Sequence, residues 1–212
     1  VVHEKYLPVI KARCEELLND AQVEGLLFNY KHFWGDYDHY HGGHGWYPWE
    51  IRIVRNLPQI HSYQSAQSFR WFDAYDNPRQ ETGTRKLNVA SVDAWIFHYG
   101  WVRPPELMRN KNKALDSVHW GKSKAEKHYA SVPSYFDYGP LDRLKIFKET
   151  HPQVMKERIA LFNWGDKLQY SGKPNPGRHL HKHEKLGMRL LSILEKLTGP
   201  IGTFKNYKLL KR

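Results

Sequence analysis

One cysteine, Cys14, stands in 212 residues, so the chain forms no internal disulfide and fits a reducing, cytoplasmic setting. No apolar run approaches the roughly 20 residues that a bilayer-spanning helix needs. Several motifs are also missing. There is no nucleophile elbow for a serine, no glycine loop that cradles phosphate, no His-Glu-x-x-His zinc pattern and no RNA-recognition signature. Acidic residues are scarce, 22 against 33 Lys plus Arg, for a formal charge of +11. That balance suits acidic partners: nucleotide phosphates, nucleic acid or an anionic membrane surface. The opening Val1-Val2-His3 carries no initiator methionine and reads as the start of a processed or partial chain.

What is abundant is aromatic: 8 Trp, 13 Tyr and 9 Phe, rings that suit flat amphipathic ligands such as sugars and bases as well as a core. The apolar pattern predicts a helix over 4–18, with Pro8 in its first turn, and a strand over 23–33 covered on both faces. A strand is expected at 51–55, a short helix at 62–72, an excursion loop at 73–86, and a central strand at 87–97. Beyond Pro105 helices are expected at 106–120, 140–147, 152–164 and 180–197, with a mobile polar segment at 121–133 and a linker at 168–178. The predicted fold class is α/β: a mixed sheet with flanking helices over 1–105, then a helical extension over 106–212.

The central stretch runs from Trp95 to Pro105. Ala94–Phe97 is strand-like, and His98, Gly100, Arg103 and two prolines come after it. The prolines stop the strand, the glycine is expected to let the backbone turn, and His98 and Arg103 are thereby presented at a strand end. In α/β sheets ligands bind beyond such ends.

Other clusters carry polar chemistry. The loop from Trp34 to Trp49 holds Asp36, Asp38, His39, His41 and His44 among glycines, which matches no closed zinc pattern and reads as a glycine-hinged flap over a polar site. Glu50, Arg52 and Arg55 lie on one short strand; arginine matches phosphate or carboxylate bidentately. His179, His181 and His183 point in different directions on a helix and read as a solvated basic segment.

The ordered set of segments Gly25–Gly35, Trp46–Asn56, Ser65–Arg70, His98–Pro105 and Thr150–Met155 resembles the C-terminal, acceptor-side part of bacterial family-2-type glycosyltransferases with the GT-A fold. The likeness covers nearly the whole chain, with HYGWVRPP its most specific segment. It implies transfer of a sugar from a nucleotide-sugar donor to a glycan or lipid-linked acceptor, in polysaccharide biosynthesis. It implies a divalent metal, Mg or Mn, on the donor diphosphate. Val1-Val2-His3-Glu4 resembles the residues immediately after the family's Asp-x-Asp-type motif, so the donor-binding half is expected to precede this chain. The family's late histidine, a metal ligand, maps onto His98. Its general base is a carboxylate, but Gln64, Ser65 and Gln67 near the expected place offer no acid. Glu50 and Asp36 are the nearest replacements. Trp34, Trp46, Tyr47, Arg52, Trp101 and Arg103 are the expected substrate-binding residues.

Two rival readings stand beside it: a basic aromatic-rich nucleic-acid module, disfavoured by the scatter of the cations and the lack of a binding motif, and a catalytically silent fragment. The apolar stripe Leu186-Leu190-Leu194-Leu197, flanked by Lys182, Lys185, Arg189, Lys196 and the basic tail, requires a partner surface. That surface is either protein or an anionic membrane face.

Overall fold

The computed structural model describes residues 1–64, 68–198 and 205–211. Among them the strands are β1 (Gly25–Trp34), β2 (His39–His41), β3 (Trp49–Val54), β4 (Ile60–Tyr63), β5 (Ser68–Phe72), β6 (Thr84–Trp101), β7 (Lys145–Ile146) and β8 (Tyr207–Lys211). The helices are α1 (Leu7–Leu17), α2 (Pro105–Trp120), α3 (Lys122–Ala130), α4 (Lys156–Ala160) and α5 (Leu186–Thr198). The fold is mixed α/β with one eight-stranded sheet ordered β4-β5-β6-β1-β2-β7, β3 pairing with β1 and β8 with β6. β1 is antiparallel to β2 and β3, whereas β8 runs parallel to β6. β1 is buried along nearly its whole length, as its unbroken apolar run requires.

The chain divides into two compact units that interleave in sequence. The first comprises Val1–Lys31, Tyr47–Phe97 and Gly202–Arg212. Its core sets Leu17 and the inner face of α1 against Leu26, Phe28, Val92, Ala94 and Ile96. The C-terminus of α1 is closed by Arg55, whose guanidinium donates to the carbonyls of Val23 (2.6 Å), Leu17 (2.9 Å), Leu18 (3.0 Å) and Asp20 (2.9 Å). Those of Leu17 and Leu18 are acceptors that a helix end leaves unused, and those of Asp20 and Val23 belong to the turn that follows.

The helix expected at 62–72 is not there. β4 and β5 pair antiparallel instead, Ile60 opposite Trp71 and Tyr63 opposite Ser68, while residues 65–67 lie outside the described residues. Tyr63, Phe69, Trp71 and Phe72 prefer the pleated surface, and Gln64 at φ 58° begins the reversal. The tail, expected as an attachment segment, joins this same unit: β8 aligns with β6 from Leu87 opposite Tyr207.

The second unit comprises His32–Trp46 and His98–Ile201. Its core is aromatic, with Trp34, Met108, Tyr138 and Leu141 buried and Trp46, Trp101 and Phe136 packed on them. The segment after Gly121, expected to be mobile, is helical. Gly121 at φ 86° separates α2 from α3, and the Tyr129 hydroxyl donates to Asp116 at 2.7 Å. Arg109 ties the end of α3 by donating to the carbonyls of Tyr129 and Pro133. The two proline-led helices are shorter than expected. The first is a 3-10 turn, Leu141–Arg143, followed by β7; the second is a 3-10 turn, Gln153–Met155, running into α4. Helices this short have little stability of their own, so sheet pairing and aromatic packing decide the local structure.

Candidate functional site

β6 extends through His98 to Trp101, so His98 sits within the strand and the chain leaves the sheet after Trp101, ahead of Arg103-Pro104. Gly100 has a different role from the turn expected of it. A Cβ there would stand 2.6 Å from His98 Nε2 and 2.9 Å from Cε1, so the missing side chain is the space the imidazole occupies. On β1, the buried His32 brings its Nδ1 to 3.0 Å from His98 Nδ1, the rings nearly perpendicular. Two imidazole nitrogens thus face each other, and when they share a proton one donates and the other accepts.

Beside this pair lies an aromatic wall. Trp46 is 4.9 Å from the His32 ring and 5.8 Å edge-on to Trp101, and Trp101 stacks on Trp34 at 4.9 Å. Trp34 itself is buried and its indole N–H donates to Tyr138 O at 2.9 Å, so it supports the wall while Trp46 and Trp101 keep some exposure.

Lys111, from the second turn of α2, brings Nζ to 5.0 Å from the Trp101 ring centroid and donates to Gly100 O at 2.6 Å. Burial, and then the nearby charge of Arg103, hold the Lys111 ammonium below its ordinary range. Arg103 Nε is buried with no hydrogen-bond partner among the described residues. Lys111 beside the Trp101 ring and the nearby charge of Arg103 together form a cationic arrangement suited to an anion such as a diphosphate.

The loop expected as a flap is packed through its first half. Asp36 is 2% exposed, and its carboxylate accepts from the Asp38 and His39 backbone N–H groups at 3.0 and 2.9 Å and contacts the His39 ring at 2.9 Å. That pairing raises the His39 pKa and commits Asp36 to holding a turn. His41 is buried and stacks on Trp46 at 4.4 Å. His181 and His183, expected in solvent, are stacked 5.7 Å apart in the same unit, and His183 meets the His41 ring at 4.9 Å. The reason is position: both precede α5, which starts at Leu186, and the aromatic core covers them. Burial and neighbouring histidines lower the pKa of His41, and they bring that of His183 to about 4.

The first unit gathers Glu50, Arg52 and Tyr47. Arg52 donates through Nε to the Tyr30 hydroxyl, and the Tyr30 and Tyr47 rings meet edge to face at 5.2 Å. Burial pushes the Tyr30 hydroxyl up to about 12. Burial also raises the Glu50 carboxyl, partly offset by the Ile51 N–H and the Arg52 charge.

Sequence reasoning missed His32, hidden in an apolar run, and Lys111, which sits among Arg109, Asn110, Asn112 and Lys113 and reads as a solvated face. Among the described residues no group of three or more His, Cys, Asp or Glu is placed to hold a metal; the His32/His98 pair provides two nitrogens. No family model matches this chain, and no curated protein or solved structure is significantly similar to it.

Proposed function

We propose that this chain is the acceptor-side part of a metal-dependent glycosyltransferase with the GT-A fold, moving a sugar from a nucleotide-sugar donor to a glycan or lipid-linked acceptor. The observation that carries the reading is the His32/His98 nitrogen pair on β1 and β6. The two Nδ1 atoms, 3.0 Å apart, are the nitrogen donors that would hold a divalent ion. Nitrogen donors suit manganese better than magnesium. His98 and His32 would hold such an ion, whose contribution is to neutralise charge on the leaving diphosphate.

The chain's own residues supply the rest. Arg103 and Lys111 bind and orient the diphosphate beside Trp101. Trp46 and Trp101 give a sugar ring flat apolar surface. Within the first unit, Glu50, raised by burial with Arg52 and Tyr30 beside it, is a carboxylate able to accept a proton.

The test is to express the complete gene product and assay it against a panel of nucleotide sugars with manganese or magnesium. Metal-dependent release of a nucleoside diphosphate is expected. Failure of every donor to bind or turn over in a folded protein would reject the reading.

A further inference from the structure

α5 is amphipathic, but it is attached to its own unit by its polar side. Ser192 Oγ accepts the His44 backbone N–H at 2.8 Å and donates to Met188 O at 2.7 Å. Glu195 meets His44 Nδ1 at 2.8 Å, with both side chains largely buried. The contact is close. A Cβ on Gly43 would stand 2.5 Å from Ser192 Oγ, so only glycine lets the loop approach the helix here.

At about 100° per residue, Ser192 and Glu195 lie about 150° from the centre of the apolar stripe Leu186-Leu190-Ile193-Leu194-Leu197. The stripe therefore faces away from the unit. Its five side chains are 68%, 58%, 57%, 45% and 83% exposed. Soluble helices normally bury such a face. Exposed Arg189 lies about 85° from the centre of the stripe, near its edge, and exposed Lys185 stands just before the helix.

We propose that α5 is an in-plane anchor that lays its leucine stripe into the surface of an anionic lipid bilayer. Four features select that occupant. The helix has 13 residues, about 20 Å, and no helix of the described residues is long and apolar enough to cross a membrane. Arg189 stands near the stripe edge and Lys185 at the start of the helix, and their long stems let both cations reach headgroup phosphate while the leucines enter the acyl boundary. The whole chain carries +11, which attracts it to an anionic surface over a Debye length. The polar anchor through Ser192 and Glu195 keeps the stripe outward in the folded protein, so docking needs no unfolding. Such placement would bring the enzyme to lipid-linked acceptors, although the anchor does not depend on the glycosyltransferase reading.

The test uses the full chain and co-sedimentation with phosphatidylcholine vesicles with and without phosphatidylglycerol, at low and high salt. Binding is expected to vesicles containing phosphatidylglycerol and to weaken with salt. Leu190→Glu with Leu197→Glu should lose at least about tenfold in binding. Lys185→Glu with Arg189→Glu should lose at least about thirtyfold, on anionic vesicles only. All four side chains are exposed, so circular dichroism should show unchanged folds. Equal binding of the leucine variant, or no binding at low salt, would overturn the proposal. So would a sedimentation mass twice that of the monomer that the leucine variant halves, because the stripe would then be a face between copies of this chain. Loss of vesicle binding with nucleotide-sugar turnover intact would separate the anchor from the catalytic reading.

Discussion

Replacing Gly100 with alanine should disturb the histidine pair without touching either histidine. Residues two apart on a strand share a face, so the added methyl points at the His98 ring, 2.6 Å from Nε2 where ordinary contact needs about 3.4 Å. The ring cannot swing away cheaply, because its Nδ1 faces His32, which is 1% exposed and would lose that contact. Overpacking costs roughly 1–3 kcal/mol, and a buried polar group that loses its partner about 1–3 kcal/mol. The two are alternative responses of one ring. Alanine also returns roughly 0.5–1 kcal/mol by restricting the unfolded chain. The expected net loss is about 1–2 kcal/mol, or about 2–8 °C in Tm for a chain of this size. Urea denaturation of a double-mutant cycle with His98→Ala isolates the cause. In the His98→Ala background the Gly100→Ala cost should vanish. Additive costs would refute the argument, since the methyl would then be clashing with something other than the imidazole.

Two further outcomes stem from buried charge and capping. His183 is neutral in the fold, with a pKa of about 4 against an ordinary 6.5, so the unfolded chain takes up that proton first. Stability should therefore be complete above about pH 6.5 and fall by about 3 kcal/mol as pH drops toward 4; His41 and His181 add in the same direction. His39, raised by Asp36, acts in the opposite sense only above about pH 6.5. Thermal melts of His183→Phe across this range should show a flatter acid limb, and an unchanged limb would contradict the assignment. Arg55→Ala should cost about 2–3 kcal/mol in urea denaturation, because two carbonyls at the end of α1 and two in the turn after it lose a charged donor. Arg55→Lys should recover less than half, since one ammonium cannot span them.

Much of the frame was legible because it rests on local pattern. The covered strand β1, the central strand β6, α1 with Pro8 in its first turn, and α2 opening on Pro105 are all dictated by apolar spacing and proline placement. The β4–β5 hairpin was not, because Phe69, Trp71 and Phe72 fit a helical stripe as well as a strand, and only pairing with β6 decides between them. His181 and His183 alternate with exposed Leu180 and Lys182 and look solvated, until long-range packing by Trp34 and Phe136 buries them. Of the site, His98, Trp101 and Arg103 were found as one segment. Their partners His32 and Lys111 were not, because contact between distant residues leaves no local signature.

Manganese titration of the complete gene product, read by electron paramagnetic resonance in the presence of a nucleoside diphosphate, tests the central claim most directly. Wild-type protein should bind manganese, with nucleotide and metal each tightening the other. His98→Ala should weaken that binding by about tenfold or more while the far-ultraviolet circular dichroism stays unchanged. Wild-type manganese affinity in a folded His98→Ala variant would contradict the account.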